Sequence, residues 1–594
     1  MTAPDDRLAL ASEEDAATAA DWERATAAVL RKSRRLRDDD PDDLVWQRLA
    51  RTTLDGIAVA PIGTPASLEG LTTAGRPARA GAWDVRTPLA GADAAALNEA
   101  ALVDLENGAT SLLLQLEPGE GGTPVDLEAV LRGVLLDLAP VALERPTAAQ
   151  AAALADVLEA YDGPVAAGAN LSFDPQTLEV FGADADDTGD PWSELVPLAR
   201  RAWQLGVLGL VVDGTALHDK GASDAQELGW TIAVGVHYLR LLTEAGMPVD
   251  EAAKVIEFRY AATDEQFPTI AKLRAARRLW ARVLEASGSA GVPQRQHVVT
   301  SRPMMTRFDP WVNMLRTTVA AFAAGVGGAD VVTVVPFDEP LGTPDGFGRR
   351  IARNTSSLLI EESHLAVVAD PAGGSYAVER LTDDLAVAGW AELGRIESAG
   401  GAAAQEARQG VADRVVATAA ERDAQVADRS RPITGLSEFP HLAETLPVRE
   451  PSRRPRVRSY GWAFEALREE PAATPVFLAT MGPIAAHTAR ATFAANLLAA
   501  GGVAVEAAGP TDGVEQVLAA YAGQPVVCLA GTDAAYAEWG ADLVAALRDA
   551  GASYVVLAGK PGERTNISED SVDDSAAMGV DALGFLTRIR EALA

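Results

Sequence analysis

A single cysteine, Cys528, stands in 594 residues, so no disulfide can close within the chain and a cysteine-based metal cage is excluded. Six histidines scattered over that length offer no Cys/His cluster either, and no metal site is expected. The two scarcities fit a reduced, cytoplasmic setting. Basic residues are outnumbered, 51 against 84, which leaves a formal net charge of -33. A field of that sign repels the phosphates of nucleic acid and the anionic face of membranes, so neither is expected as a partner. Long apolar runs are missing too: the Ala-rich stretches are broken by charges well short of the ~20 residues that span a bilayer. The first 25 residues are acidic, without a cationic or an apolar region, and predict no signal or transit peptide. Aromatics make up only 5%, but 48% hydrophobic residues suffice for full cores. At roughly 100 to 200 residues per domain, two or three domains are expected.

What is present is an alternation. Residues 1–43 read first as an arm: Trp22 and Val29 lie seven apart, with Ala25 between them on one helical face, before the DDDPDD run at 38–43 ends the helix. So narrow a stripe has little of its own to pack on, which makes it a candidate partner surface; a solvated terminal helix is the plainer alternative. From about residue 110, short β-rich apolar runs are each followed by a longer helical stretch. Eight runs occur, at 110–116, 140–144, 164–170, 209–215, 255–261, 297–301, 330–337 and 365–370. The segments 222–246 and 264–287 are long enough for crossover helices. The pattern predicts an α/β fold with a (β/α)8 TIM barrel over 44–420. Residues 421–458 accumulate Arg, Pro and Ser and read as a linker laid over a surface. Over 459–594 the alternation resumes with strands at 474–480, 503–508, 525–530 and 554–558, a weaker fifth at 580–584, and a closing helix at 585–594. That is a flavodoxin-like, doubly wound domain.

Chemistry in a barrel sits where strands end. The polar candidates there are His218, Asp219 and Lys220, then Arg302, Arg307 and Asp309, then Asp338 and Glu339. Adjacent carboxylates on an extended segment point apart, so Asp338 and Glu339 are expected to pair with arginines rather than share acid-base work. His218 is expected to be a loop histidine. Arg349, Arg350 and Arg353 form a basic cluster suited to a phosphate-bearing ligand or, preferably, to carboxylates at an interface. The turn TMGPIAAHTAR at 480–490 lacks the G-x-G-x-x-G that cradles phosphates.

Six stretches carry a resemblance: TLDGIAVAP (53–61), IAKLRAARRLWARV (270–283), DPWVNMLRTTVAAFAAGVGGAD (309–330), PFDEPLG (336–342), RRIARNTSSLLIEESHLAVVADPAGGSYAVERLT (349–382) and PITGLSEFP (432–440). In order and spread, they resemble the methylmalonyl-CoA mutase family. The resemblance implies a barrel that threads a CoA ester, followed by a cobalamin-binding-type domain. It also implies radical interconversion of (R)-methylmalonyl-CoA and succinyl-CoA with adenosylcobalamin. The family's cobalamin motif, K-x-G-x-D-x-H-x-x-G, supplies a histidine to cobalt, an aspartate that orients it and a lysine that tunes the aspartate.

Laid on this chain and anchored at Met481 and Gly482, those three places hold Thr480, Ile484 and Ala486, while His487 lies one residue late. The elements that admit the nucleotide tail fall on Ala530, Gly531 and Thr532 and on Ala558 and Gly559. In the barrel, the radical-shielding tyrosine becomes Pro88 and the thioester-binding histidine becomes Ala216, with His218 two residues downstream. Val335 and Pro336 replace polar lining groups, and apolar linings of that kind are expected to close the tunnel. The resemblance is therefore to the small, non-catalytic subunit of the family's bacterial heterodimers. It implies no catalytic, cofactor or metal residues in this chain, adenosylcobalamin in a partner large subunit, and the Trp22 and Val29 helix as a contact with that subunit. Two alternatives stand beside it: a self-sufficient acyl-CoA mutase with altered cobalt ligation, and a CoA-ester-binding regulatory subunit.

Overall fold

Thr18 opens the first helix, α1 (Ala19–Lys32), through a capping box with Asp21, which satisfies two amide groups the helix itself leaves unpaired. This computed structural model describes residues 17–73, 75–181, 190–289, 291–452 and 454–594, so the start of the expected arm lies outside the described residues. Trp22 turns back onto Trp46, their ring centroids 4.4 Å apart. Together with Ala27, Leu30, Leu36 and Val45 they build a small apolar cluster separate from the main cores. The helix thus has something of its own to pack on, unlike the expectation from its narrow stripe. The missing half comes from beyond the acidic break, where the periodicity of a single helix cannot register it. Val29 faces away, 65% exposed.

Eight parallel strands close the barrel: β1 (Asp84–Gly91), β2 (Ser111–Leu116), β3 (Val141–Leu143), β4 (Asn170–Phe173), β5 (Leu208–Asp213), β6 (Ile256–Ala262), β7 (Arg295–Thr300) and β8 (Val331–Thr333). β8 pairs with β1 to complete the ring. Three expectations shift. β1 was not among the eight apolar runs, because Arg86 and Pro88 interrupt its apolar pattern. The run at 365–370 is no strand: it is a loop with Val367 and Val368 largely exposed. The fourth strand begins at Asn170 instead of ending there, for its polar Asn170 and Ser172 mask the pattern. Asn170 accepts from the Ser172 amide at 2.8 Å across a bulge where Ser172 takes φ +58°.

The long crossovers fold as α2 (Asp224–Glu244) and α3 (Gln266–Ala286), and α4 (Tyr376–Ser398) packs on α2 so closely that a Cβ at Gly229 would sit 2.5 Å from Glu392. Helix α5 (Gln405–Ala427) follows. The second sheet holds β9 (Val476–Thr480), β10 (Val505–Ala507), β11 (Val526–Ala530), β12 (Tyr554–Ala558) and β13 (Asp574–Ala576). Its order, β10-β9-β11-β12-β13, is the flavodoxin order. The fifth strand precedes the expected 580–584, where Asp581 instead caps the closing helix, its carboxylate accepting from the Gly584 amide at 3.0 Å. Among the described residues, no helix is long and apolar enough to cross a membrane.

Candidate functional site

The inward face of a TIM barrel is ordinarily filled by branched aliphatic side chains. Here its axis is charged. Arg86 on β1 crosses the lumen to Glu257 on β6, 3.3 Å away, and neither side chain is exposed. Arg86 also donates to the Gly168 carbonyl at 3.2 Å, and Glu257 accepts from Asn170 at 3.2 Å and Arg295 at 3.4 Å. Burial pushes the Glu257 carboxyl up, but the surrounding guanidiniums of Arg86, Arg295 and Arg259 outweigh it and hold the group below its ordinary range. Nearer the mouth, Arg259 donates to His297 Nδ1 at 3.2 Å. Since arginine can only donate, that nitrogen accepts, and His297 Nε2 carries the proton toward Thr333 at 2.8 Å. Burial and the neighbouring Arg86 and Arg259 hold His297 neutral, well below its ordinary pKa.

At the C-terminal mouth, Pro88, Val335, Ser301, His218 and Arg259 surround a cavity of only ≈ 20 Å³, about the room of one water. Residues 449–452 and 454–460 lie across it as a strap. Arg449 binds Asp338 at 2.6 Å, Arg454 pairs with Glu144 at the end of β3, and the Pro455 carbonyl accepts from Arg302 at 2.9 Å. The Tyr460 hydroxyl lies 3.3 Å from His218 Nε2. Asp338 and Glu339 accordingly diverge, the first to Arg449 and the second to Arg302 at 2.7 Å. Ala216 is buried in the turn beside His218.

His218 Nε2 stands 2.7 Å from Ser301 Oγ, with Glu227 3.7 Å from Nδ1. The order is that of nucleophile, base and orienting acid. Yet Glu227 is beyond hydrogen-bond reach of the ring and already accepts from the Ala261 amide at 2.8 Å and Lys272 at 2.7 Å. Beside Ser301 there is no room for an acyl group. Of the remaining candidates, Arg307 pairs with Glu469, and the Asp309 amide donates to Glu444 at 2.7 Å. Arg353 pairs with Asp104 at 2.5 Å, Arg350 lies 5.4 Å over the Phe347 ring, and Arg349 lines a crevice beside Pro88. The basic cluster is thus divided among three surroundings.

In the second domain, Thr480 ends β9 and donates to the Gly509 carbonyl at 2.6 Å. Ile484 begins α6 (Ile484–Ala500) and is 64% exposed. His487, on the first turn of α6, is buried with Nδ1 on the Gly482 carbonyl at 3.1 Å. The gap between the C-terminal ends of β11 and β12 is filled by Tyr536. Its hydroxyl accepts from the Gly531 amide at 2.9 Å and lies 3.0 Å from the Leu529 carbonyl and 2.9 Å from that of Ala558. The Arg490 guanidinium stacks on the ring at 4.9 Å and donates to the Gly531 carbonyl at 2.8 Å. Among the described residues, no group of three or more His, Cys, Asp or Glu side chains is placed to hold a metal ion.

The family described as Methylmalonyl-CoA mutase matches residues 207–507, half of the chain. The methylmalonyl-CoA mutase small subunit of Streptomyces virginiae is 47% identical, covering 98% of both chains. The chain belongs to the methylmalonyl-CoA mutase family. A probable small subunit of this mutase from Mycobacterium bovis is 43% identical over 91% of the present chain and 92% of its own, and the small subunit of Propionibacterium freudenreichii subsp. shermanii is 34% identical over 98% and 95%.

Of the positions that depart from the mutase pattern, Pro88 and Val335 line the small mouth cavity, whereas Pro336 and Ala216 do not. Deeper in, the lumen holds a buried ion pair rather than the apolar groups expected. Arg86, Glu257, Arg259 and His297 escaped the sequence reading, although Glu257 and Arg259, two apart on one strand, share a face and carried a signal. Tyr536 escaped it too; its trace is a tyrosine among the small residues of TDAAYA (532–537). Another mutase-like stretch, 53–61, places Asp55 against α2, where its carboxylate accepts from the Ala225 amide at 3.3 Å. Burial and the nearby Asp224 raise it from an ordinary 3.8 to about 6. A proton held more tightly when folded stabilises the fold at acid pH, in full below 3.8, and that contribution is lost as the pH rises through 6. Relative to Asp55→Asn, the wild-type chain is expected to gain on the order of 1 kcal/mol from pH 8 to pH 5, measured by urea unfolding at both values. Parallel stability curves would show that Asp55 is ionised throughout.

Proposed function

We propose that this chain is the supporting, non-catalytic subunit of a heterodimeric methylmalonyl-CoA mutase. The large subunit binds adenosylcobalamin and interconverts (R)-methylmalonyl-CoA and succinyl-CoA. The observation that carries the reading is the filled barrel axis: the Arg86–Glu257 pair crosses the lumen and Ser301, His218 and Arg259 enclose only ≈ 20 Å³ above it, where a pantetheine-length tail would need a continuous channel. The larger hollow of ≈ 640 Å³ under the strap, beside Pro88, Val335 and Pro336, is lined by none of the axial residues. The cobalamin places do not fit the cofactor either. Thr480, Ile484 and Ala486 offer cobalt no ligand, His487 is turned to the Gly482 carbonyl, and Tyr536 takes the gap proposed for the nucleotide tail. No step of the reaction is therefore assigned to residues of this chain.

In this reading, residues 1–43 form an interaction arm, 44–420 the barrel unit, 421–458 a linker and 459–594 a degenerate cobalamin-type domain, working in the cytoplasm. The arm docks on the large subunit through the Val29 side of α1, while Trp22 braces the helix against Trp46. A subunit of this kind stabilises its partner by burying surface, without lending a reacting group.

Co-expression with a large subunit tests the proposal. A 1:1 complex is expected, and its turnover should stay within about twofold after Thr480→Val, His487→Asn or His218→Asn, since less than 0.5 kcal/mol of transition-state stabilisation is at stake. Mutase activity or a corrin spectrum from the isolated chain would instead establish a self-sufficient enzyme.

A further inference from the structure

The strap and α5 enclose a cleft that is separate from the closed barrel lumen. Its volume is ≈ 490 Å³, within the ~300–1,000 Å³ of small-molecule sites. Six cations line it, Arg145, Lys220, Arg302, Arg422, Arg456 and Arg458, against two carboxylates, Asp219 and Asp423. Asp213 and Glu339 pair with Arg145 and Arg302 from behind, and a positive excess still remains in a chain whose formal charge is -33.

The cations are held ready. Arg422 is 5% exposed and donates to the carbonyls of Gly221 at 2.8 Å and Ala222 at 3.1 Å, its guanidinium 4.7 Å over the Tyr460 ring. Carbonyls orient that group without cancelling its charge. Arg458 pairs with Asp423, while Lys220 and Arg456 stand exposed at the rim, with no ion pair among the described residues. Fixed guanidiniums beside a mobile ammonium are the combination that recognises phosphate oxygens.

We propose that this cleft binds a pyrophosphate-bearing ligand of nucleotide size, which bridges the strap at Arg456 and Arg458 to Lys220 of the barrel and Arg422 of α5. Free nucleoside diphosphates and the nucleotide end of coenzyme A both carry that group, so the source is a matter for experiment. The site uses no residue of the barrel axis and stands apart from the supporting role proposed above, so it can fail while that role holds.

The full chain is titrated calorimetrically with inorganic pyrophosphate, ADP and coenzyme A, with adenosine as the uncharged control. Pyrophosphate and ADP are expected to bind and adenosine not. The exposed double variant Lys220→Glu, Arg456→Glu, checked for an unchanged Tm, should weaken both by about tenfold or more. Bound ADP should also slow tryptic cleavage after Arg456 and Arg458. Binding of coenzyme A as well extends the ligand class, whereas binding of coenzyme A alone overturns the pyrophosphate assignment. No heat at millimolar pyrophosphate, or equal binding by the double variant, overturns the site.

Discussion

Glu257→Ala is expected to destabilise the chain by on the order of 3–5 kcal/mol, one of the two largest effects foreseen here. The substitution removes the carboxylate that Arg86, Asn170 and Arg295 all address, and strands a guanidinium that is 0% exposed in the middle of the barrel. An unpaired buried charge keeps its desolvation cost and loses the attraction that offset it. The double variant Arg86→Met, Glu257→Leu should be milder than the single, because an apolar pair of similar volume removes both charges at once. Urea unfolding of the two variants beside the wild type separates these outcomes. Should Glu257→Ala unfold within about 1 kcal/mol of the wild type, the ion pair does not organise the barrel. The same pair has a functional side: since it spans the lumen, stability and closure of the axis depend on the same residues.

Val29→Asp should leave the isolated chain intact and weaken its assembly with a large subunit by about 2 kcal/mol or more, some thirtyfold. Val29 is 65% exposed, so the change adds no strain to the folded chain and surface substitutions of this kind stay within about 0.5 kcal/mol. In an apolar contact the new carboxylate would be buried without a partner. Trp22→Ala makes a useful contrast, for it empties half of the Trp22–Trp46 contact and should lower both the stability of the arm and the assembly. Analytical ultracentrifugation of the co-expressed subunits reads the affinity. Full recovery of a Val29→Asp complex at nanomolar protein would place the interface elsewhere.

Both expectations rest on contacts that are distant along the chain, and the limits of the sequence reading follow the same division. The fold class was legible because runs such as LGLVV (208–212) and VFLA (476–479) are continuously apolar, as strands covered on both faces are. β1 was not, since Arg86 and Pro88 look like loop residues until Glu257 and Gly168 are brought to meet the arginine. LAVVAD (365–370) misled in the opposite direction: its composition is that of a strand, but the ring is already complete when β8 meets β1, and the run is left in a loop. At the site, the replaced positions Pro88, Ala216, Val335, Thr480, Ile484 and Ala486 could be read against the family pattern. What fills the space they vacate could not.

Taken alone, the amino-acid order determined the two α/β units, their succession, the acidic net charge and which residues stand at the positions compared with the family's motifs. All of these are local, carried by periodicities of two and 3.6 residues or by short motifs. The tertiary structure decided how the barrel is shut and where cations collect. Arg86 and Glu257 are 171 positions apart, and Arg454 and Glu144 are 310 apart. Whether such charges face water, a ligand or each other depends on which strands close the ring and where the strap returns, and no window along the chain contains both members of either pair.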